Sequence, residues 1–211
     1  MLANIVLHEV LDAWYERDVR PRMRGRTFLP RFADDFVIGC EREDAARRIM
    51  AALPKRFARF GLTIHPTKTV LVSFRKPDFH AESDTGNGTF ECLGLTYDGT
   101  KSRRGYWVIK RDTASTRLRR TMRALWQWCR DQRYAPLQAQ YRTLCQKLRG
   151  HYQYDGIRGN YPRLERVYEQ AEHAWRYWLR RRSHKSAIPW EKFDRLHARF
   201  PLPAPRIIHA L

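Results

Sequence analysis

Arg26 to Cys40, RTFLPRFADDFVIGC, places two adjacent carboxylates, Asp34 and Asp35, between two short runs of aromatic and β-branched residues. Runs of this kind favour strands, so Arg26–Phe32 and Phe36–Cys40 are expected to pair as a hairpin with Ala-Asp-Asp as the connection. Side chains on a regular strand alternate between faces, so both carboxylates can approach one point only if the backbone turns between them. Mg²⁺ takes oxygen ligands in octahedral geometry, typically one or two carboxylates together with substrate phosphates. The pair therefore marks Asp34 and Asp35 as candidate metal ligands and catalytic residues for nucleotidyl transfer.

The rest of the composition agrees with an anionic partner. The chain has 41 basic and 22 acidic residues, a formal charge of +19, which favours binding to nucleic acid. Most of the basic residues are Arg, whose planar fork suits phosphates and stacked bases. With 43% hydrophobic and 13% aromatic residues, the 211-residue chain can bury a real core and is not expected to be disordered. Cys40, Cys92, Cys129 and Cys145 form no Cys-x-x-Cys pair and read as small buried hydrophobes. No stretch approaches the roughly 20 apolar residues of a membrane span, and Glu9 and Asp12 interrupt any secretory leader. A cytoplasmic location without membrane partners is expected.

Along the chain, Val6, Leu7, Val10, Leu11 and Trp14 recur at helical spacing, so a helix is expected over Ala3–Arg20, ending near Pro21, with Glu9 and Asp12 on its solvated face. Glu43–Phe60 reads as a second helix closed by Gly61, although Pro54 interrupts its pattern. Thr69–Phe74 reads as a strand, 75–89 as a polar loop, and Phe90–Tyr97 with Tyr106–Lys110 as a strand pair. That pair is expected to join through Asp98-Gly99 and a basic tip of Lys101, Arg103 and Arg104.

From Thr113 the period changes. Leu118, Met122, Leu125, Trp126 and Cys129 form one apolar stripe, Leu137, Tyr141, Leu144, Cys145 and Leu148 a second, and Leu164, Val167, Tyr168, Ala171, Trp175 and Trp178 a third. Three amphipathic helices in succession make a bundle. Arg117, Arg119, Arg120, Arg123 and Arg130 fall largely off the first stripe and are candidates for phosphate contact, while Trp128, Tyr154 and Tyr177 are candidate base contacts.

The stretch from Arg31 to Phe74 resembles the palm of reverse transcriptases of the group II intron and retron kind. Gly61-Leu62 with Lys68-Thr69 is similar to that family's Gly-Leu and Lys-Thr element. Phe90-Glu91-Cys92-Leu93-Gly94 is similar to its primer-grip hairpin, with Cys92 in place of an aromatic residue. Leu148-Arg149-Gly150-His151-Tyr152, with Tyr154 and Asn160, is similar to a segment of the group II intron maturase domain. The motifs stand in the family's order, and Leu2-Ala3-Asn4-Ile5 looks like the end of an earlier family element. The resemblance implies an α+β fold: a partial reverse-transcriptase palm of mostly antiparallel sheet with helices over 1–110, then a helical thumb or maturase bundle over 111–211 with a tail of Pro201, Pro203 and Pro205.

It also implies roles. Asp34 and Asp35 would hold Mg²⁺, Phe32 and Ala33 would line the primer side, Lys68 would approach the incoming triphosphate, and Phe90, Leu93 and Gly94 would clamp the primer. Arg149 and Tyr154 join the basic residues of the bundle as RNA contacts. The implied partners are intron RNA and template-primer, with DNA and an upstream fragment carrying the fingers as further candidates.

The departures qualify these roles. Phe32 stands where the family commonly has Tyr. The family's fingers and the first palm strand, which carries the other metal-binding Asp, are expected before residue 1. Without that carboxylate Mg²⁺ is expected to bind weakly or not at all, and the chain to be inactive alone. Two other readings stay open: a noncatalytic RNA-binding cofactor of intron splicing, and a decayed fragment of a mobile element.

Overall fold

The computed structural model describes residues 2–74, 88–102, 104–182 and 189–209. The expected polar loop falls almost wholly outside them, as does Arg103 of the basic tip. The fold is mixed, with small antiparallel sheets and helices, and the chain divides into two compact units. One comprises Met1–Leu93 with Asp98–Val108, the other Gly94–Tyr97 with Ile109–Leu211. No helix among the described residues is long and apolar enough to cross a membrane.

The first unit begins with a helical segment: α1 (Leu2–Leu7), π-helical turns over His8–Ala13 and Tyr15–Val19, and a 3₁₀ turn over Arg20–Arg22 that contains Pro21. π-Helical turns bond i to i+5, which rotates the buried face away from the α-helical expectation. Val10, Leu11, Tyr15 and Val19 are buried, whereas Val6 of the expected stripe is exposed. Arg56 serves this segment, donating from Nε to the Val10 carbonyl and from Nη2 to the Glu9 carbonyl, both at 3.0 Å.

The Asp-Asp hairpin is built from β1 (Thr27–Phe28), β2 (Arg31–Phe32), β3 (Asp35–Phe36) and β4 (Gly39–Cys40). Thr27 pairs with Cys40 and Arg31 with Phe36 in one continuous register, so the four pieces are a single interrupted hairpin. Pro30 explains the interruption: its carbonyl accepts the Val37 N–H at 3.1 Å, but it has no N–H to return. The connection is Ala33–Asp34, and Asp35 already belongs to β3, a one-residue correction to the expected Ala-Asp-Asp turn.

Helix α2 (Glu43–Ala58) runs through Pro54 without a break and buries Ala45, Ile49, Leu53 and Phe57. Its end is a Schellman motif: Gly61 adopts φ +68°, its N–H reaches Ala58 O at 3.1 Å, and Leu62 N–H reaches Phe57 O at 3.1 Å. The face of α2 packs with Val10, Leu11, Tyr15 and Val19 and with Leu29, Phe36, Ile38 and Cys40 of the hairpin.

The expected strand at Thr69–Phe74 is not formed. Residues 69–73 are irregular, and Phe74 makes only an isolated bridge. Thr69 N–H turns back to His65 O, Val70 and Leu71 are exposed, and among the described residues pairing is confined to the end of the segment, where Ser73 O accepts the Gly88 N–H at 2.9 Å.

Strands β5 (Phe90–Cys92), β6 (Leu95–Lys101) and β7 (Trp107–Thr113) form a three-stranded sheet in that order. The turn lies at Leu93-Gly94, both with positive φ (53° and 73°), and Asp98-Gly99 sit inside β6, contrary to the expected turn there. Two consecutive left-handed residues are what a two-residue hairpin of type I′ needs.

In the second unit, α3 (Ser115–Asp131), α4 (Leu137–Asp155) and α5 (Tyr161–Arg180) bury the three expected stripes in one core. A fourth helix, α6 (Trp190–Arg199), was not read from the sequence and adds Phe193 and Leu196 to that core. The proline-rich tail lies against the C-terminal end of α4. Tyr152 Oη donates to Pro203 O at 3.0 Å, and Ile208 N–H donates to Gly156 O at 2.7 Å. Glycine is required at 156, because a Cβ there would stand 2.2 Å from Tyr152 O and 3.0 Å from Arg206 O.

Candidate functional site

The tight hairpin fixes both carboxylates. Ala33 takes φ +55°, a conformation that costs an L-residue about 1 to 2 kcal/mol, while Asp34 does not share it, the pattern of a type II′ turn. Arg31 holds this turn from behind. Its Nη1 donates to Ala33 O at 2.8 Å, and its Nε and Nη2 form a bidentate pair with Asp12 at 2.8 and 2.6 Å. Nη1 also reaches Asn4 Oδ1 at 3.2 Å. Asp12 is therefore not on a solvated face as expected. Hydrogen bonding from Arg31 holds its carboxyl below the ordinary range.

Asp34 and Asp35 are exposed, and neither carboxylate has a hydrogen-bond or ion-pair partner among the described residues. Phe32 pairs with Asp35 across the hairpin and is 70% exposed, so an aromatic ring and a carboxylate share an open face. Phe28 lies on the same face four pairs away, its ring resting on Gly39, where a Cβ would come within 2.1 Å of it. Burial pushes the Cys92 thiol upward, and the Asp35 charge adds to the shift, which brings the β5 strand within electrostatic reach of the pair.

Of the other expected primer and nucleotide residues, Phe90 stands edge-on to Phe74 with ring centroids 5.6 Å apart. Leu93 and Gly94 form the hairpin turn described above. Lys68 is exposed on a turn.

Two exposed carboxylates can hold a cation through water and phosphate, but among the described residues no group of three or more His, Cys, Asp or Glu could ligate a metal. The described set thus falls short of a two-metal site, which needs enough anionic oxygen to hold two ions about 4 Å apart.

The basic residues of the bundle separate into two groups. Arg119, Arg120, Arg123, Arg130 and Arg149 are exposed. Arg117 is drawn inward: it stacks over Tyr154 at 4.1 Å from the ring centroid, and its Nε is 3.5 Å from Asp155 Oδ1. A Cβ on Gly94 would lie 2.9 Å from Arg117 Cδ, so that glycine admits the guanidinium stem. Arg117 and Tyr154 are thereby committed to each other.

Asp155 is the hub of this region and was not singled out from the sequence. Fully buried, it accepts from Thr113 Oγ1 at 3.1 Å and lies 3.0 Å from His151 Nδ1. Asn160, also fully buried, donates to Thr113 Oγ1 and to Asp155 O, both at 2.7 Å, and accepts the Thr113 N–H at 2.9 Å. The segment noted as maturase-like is thus the polar interior that joins the end of β7 to α4 and α5. The spacing of His151 and Asp155, one helical turn apart, was the available signal.

Gln140 and Arg182 were also missed. Gln140 accepts from Trp175 Nε1 and donates to the Gln132 and Ala135 carbonyls, and Arg182 donates to Arg133 O and Ala135 O, so the connection between α3 and α4 has its carbonyls satisfied.

Residues 1–97 match the family model for reverse transcriptase (RNA-dependent DNA polymerase). No curated protein and no solved structure matches the chain. The matched region contains the whole Asp-Asp hairpin, α2 and β5, so this part of the chain is similar to that family.

Proposed function

We propose that the chain is the C-terminal portion of a group II intron-type reverse transcriptase and maturase, binding intron RNA and template-primer, and catalytically incomplete by itself. The observation that carries this reading is the strained Ala33–Asp34 turn, which presents two adjacent carboxylates on an open face inside the reverse-transcriptase match. Asp34 and Asp35 would hold Mg²⁺, which when bound supplies Lewis-acid stabilisation to an in-line displacement at phosphorus. Phe32 and Ala33 would line the primer side, Lys68 would face the triphosphate, and Phe90, Leu93 and Gly94 would clamp the primer strand. The exposed arginines of α3 would track the RNA backbone.

A third carboxylate has to come from outside the described residues, so the isolated chain is expected not to extend a primer on an RNA template with Mg²⁺ or Mn²⁺. Clear incorporation that disappears in Asp34→Asn would overturn the incompleteness. RNA binding is tested separately. Affinity for structured RNA should fall by about a thousandfold from low to moderate salt if six or so phosphates are neutralised. A salt-independent affinity, or full binding by the triple variant Arg119→Gln, Arg120→Gln, Arg123→Gln, would defeat it.

A second reading, a noncatalytic RNA-binding splicing cofactor, is favoured by two separate features, the exposed basic face of α3 and a carboxylate pair that lacks a third ligand among the described residues. Restored incorporation on mixing with a polypeptide that carries fingers and a palm carboxylate decides for the polymerase. Splicing assistance without any incorporation decides for the cofactor.

A further inference from the structure

At the edge of its core the bundle carries a cluster of rings, two of which, Trp126 and Trp178, also pack against that core. Trp126 of α3 stacks on His173 of α5 with centroids 5.9 Å apart and planes 20° apart, and Tyr177 lies 4.7 Å from Trp126 and 6.3 Å from His173. Trp178 braces the group edge-on, 5.6 Å from Trp126 and 5.1 Å from Tyr177. His173 is exposed, and Trp126 and Tyr177 are half-buried, so the stack opens to solvent.

Cations surround it. Arg181 stands over Tyr177 at 4.4 Å, Arg130 faces Trp178 at 5.9 Å, and Arg123 lies one turn before Trp126 on the exposed side of α3. Nearby acids are mostly engaged elsewhere: Asp131 accepts from Gln127 Nε2 at 2.9 Å, and Glu172 is 2.9 Å from His197 Nε2. Glu169, one turn before His173, bounds the basic area on its N-terminal side.

We infer that Trp126, His173 and Tyr177, flanked by Arg123, Arg130 and Arg181, form a stacking platform for unpaired nucleobases of a single-stranded RNA segment. The inference rests on the RNA-binding reading and specifies a site within it. A phosphate-tracking helix face alone grips a duplex as well as a single strand, whereas a flat ring at the edge of a basic groove rewards only a base that is free to leave its stack. Every base has a π-face, so the platform tolerates any sequence, with purines held more tightly because they stack over a larger area.

The test compares the full chain with the double variant His173→Ala, Tyr177→Leu, using fluorescence anisotropy on oligoadenylate RNA of about twelve nucleotides and on a perfectly paired RNA hairpin. The expected result is a loss of about tenfold on the single strand, an unchanged salt slope, and little change on the hairpin. Tyr161→Leu, an exposed ring at the far end of α5, should leave both affinities unchanged. Equal losses on the two RNAs, or no loss on either, would overturn the platform while leaving RNA binding in place. A native chain that binds neither RNA defeats the RNA-binding reading itself. If the double variant does not fold, crosslinking of the native chain to azidoadenine-substituted oligoadenylate decides: adducts on Trp126, His173 or Tyr177 support the platform, and adducts only elsewhere overturn it.

Discussion

Asp155 and the Asp34–Asp35 pair place the same side chain in opposite circumstances. Asp155 is fully buried, with Thr113, His151 and Arg117 around its carboxylate, whereas Asp34 and Asp35 are exposed on a hairpin whose strands are two residues each and whose turn is strained. A buried charge persists only when its surroundings compensate it, so Asp155 is a structural residue. Exposed neighbouring carboxylates without side-chain partners contribute little to the fold, which is the contrast on which the proposed metal-binding role of this pair rests. Burial and partners, more than residue type, separate the two roles.

The largest expected effect comes from breaking the buried side of this contrast. Asp155→Leu removes the acceptor for Thr113, the counter-charge for Arg117 and the partner of His151 Nδ1, and should destabilise the chain by about 3 to 5 kcal/mol in chemical denaturation. A loss under about 1 kcal/mol would show that the network is not holding the bundle.

Gly156→Ala should follow, at about 2 to 4 kcal/mol, because the atoms its Cβ would meet are backbone oxygens and cannot swing aside. Limited proteolysis should then cut the tail around 200–209 faster than in the native chain. Equal protection would mean that the tail does not depend on the close approach at Gly156.

These two residues also mark where the sequence was legible. The three apolar stripes of α3, α4 and α5 could be read because long helices repeat their buried positions many times, and Leu118, Leu144 and Val167 all lie in the core as their spacing requires. Phe36 and Ile38 were read as hairpin residues on a different signal, the aromatic and β-branched run that holds them. The turn at Leu93-Gly94 was misplaced because Asp98-Gly99 is the stronger local turn signal, and only pairing along β6 overrides it. The expected face of the first helix held at Val10 and Leu11, with Leu7 and Trp14 packed on the same core, but not at Val6, and π-helical turns carried it on to Tyr15 and Val19 outside the α-helical period. Asp12 was misread with it, since its partner Arg31 lies 19 residues away and leaves no local trace. Asp34 and Asp35 were visible in the sequence because two adjacent acids between strands are unusual; Asp155 was not, because a single acid near a helix end is common.

A smaller effect is expected from the clamp behind the turn. The folded-state pKa of Asp12 is lowered chiefly by its hydrogen bonds from Arg31. Its contribution to stability is therefore present above the unfolded carboxylate value and lost as pH falls through the lower folded value. Arg31→Gln should cost about 1 to 2 kcal/mol at neutral pH, a figure kept small because the pair is partly solvated. The difference from the native chain should shrink on acidification below the ordinary carboxylate value of 3.8. A difference that stays constant down to full protonation would assign the effect to the Ala33 carbonyl contact instead.

The smallest effect should come from the carboxylates on the open side of the contrast. Asp34 and Asp35 are adjacent and exposed, and the guanidinium of Arg31, close to them in sequence, is turned toward Asp12 and the Ala33 carbonyl. Removing one charge relieves repulsion without unpairing any group, so Asp34→Asn and Asp35→Asn should each leave stability within about 0.5 kcal/mol of the native chain or raise it slightly. Mg²⁺ affinity, followed by titration calorimetry, should be weak, on the order of millimolar, and lost in both variants, because a rigid octahedral site needs more ligands or a bound phosphate. Thermal melts with and without Mg²⁺ separate the possibilities. A loss above about 1 kcal/mol in either metal-free variant would make these carboxylates structural residues, as Asp155 is, and the polymerase reading would then lose the feature on which it rests.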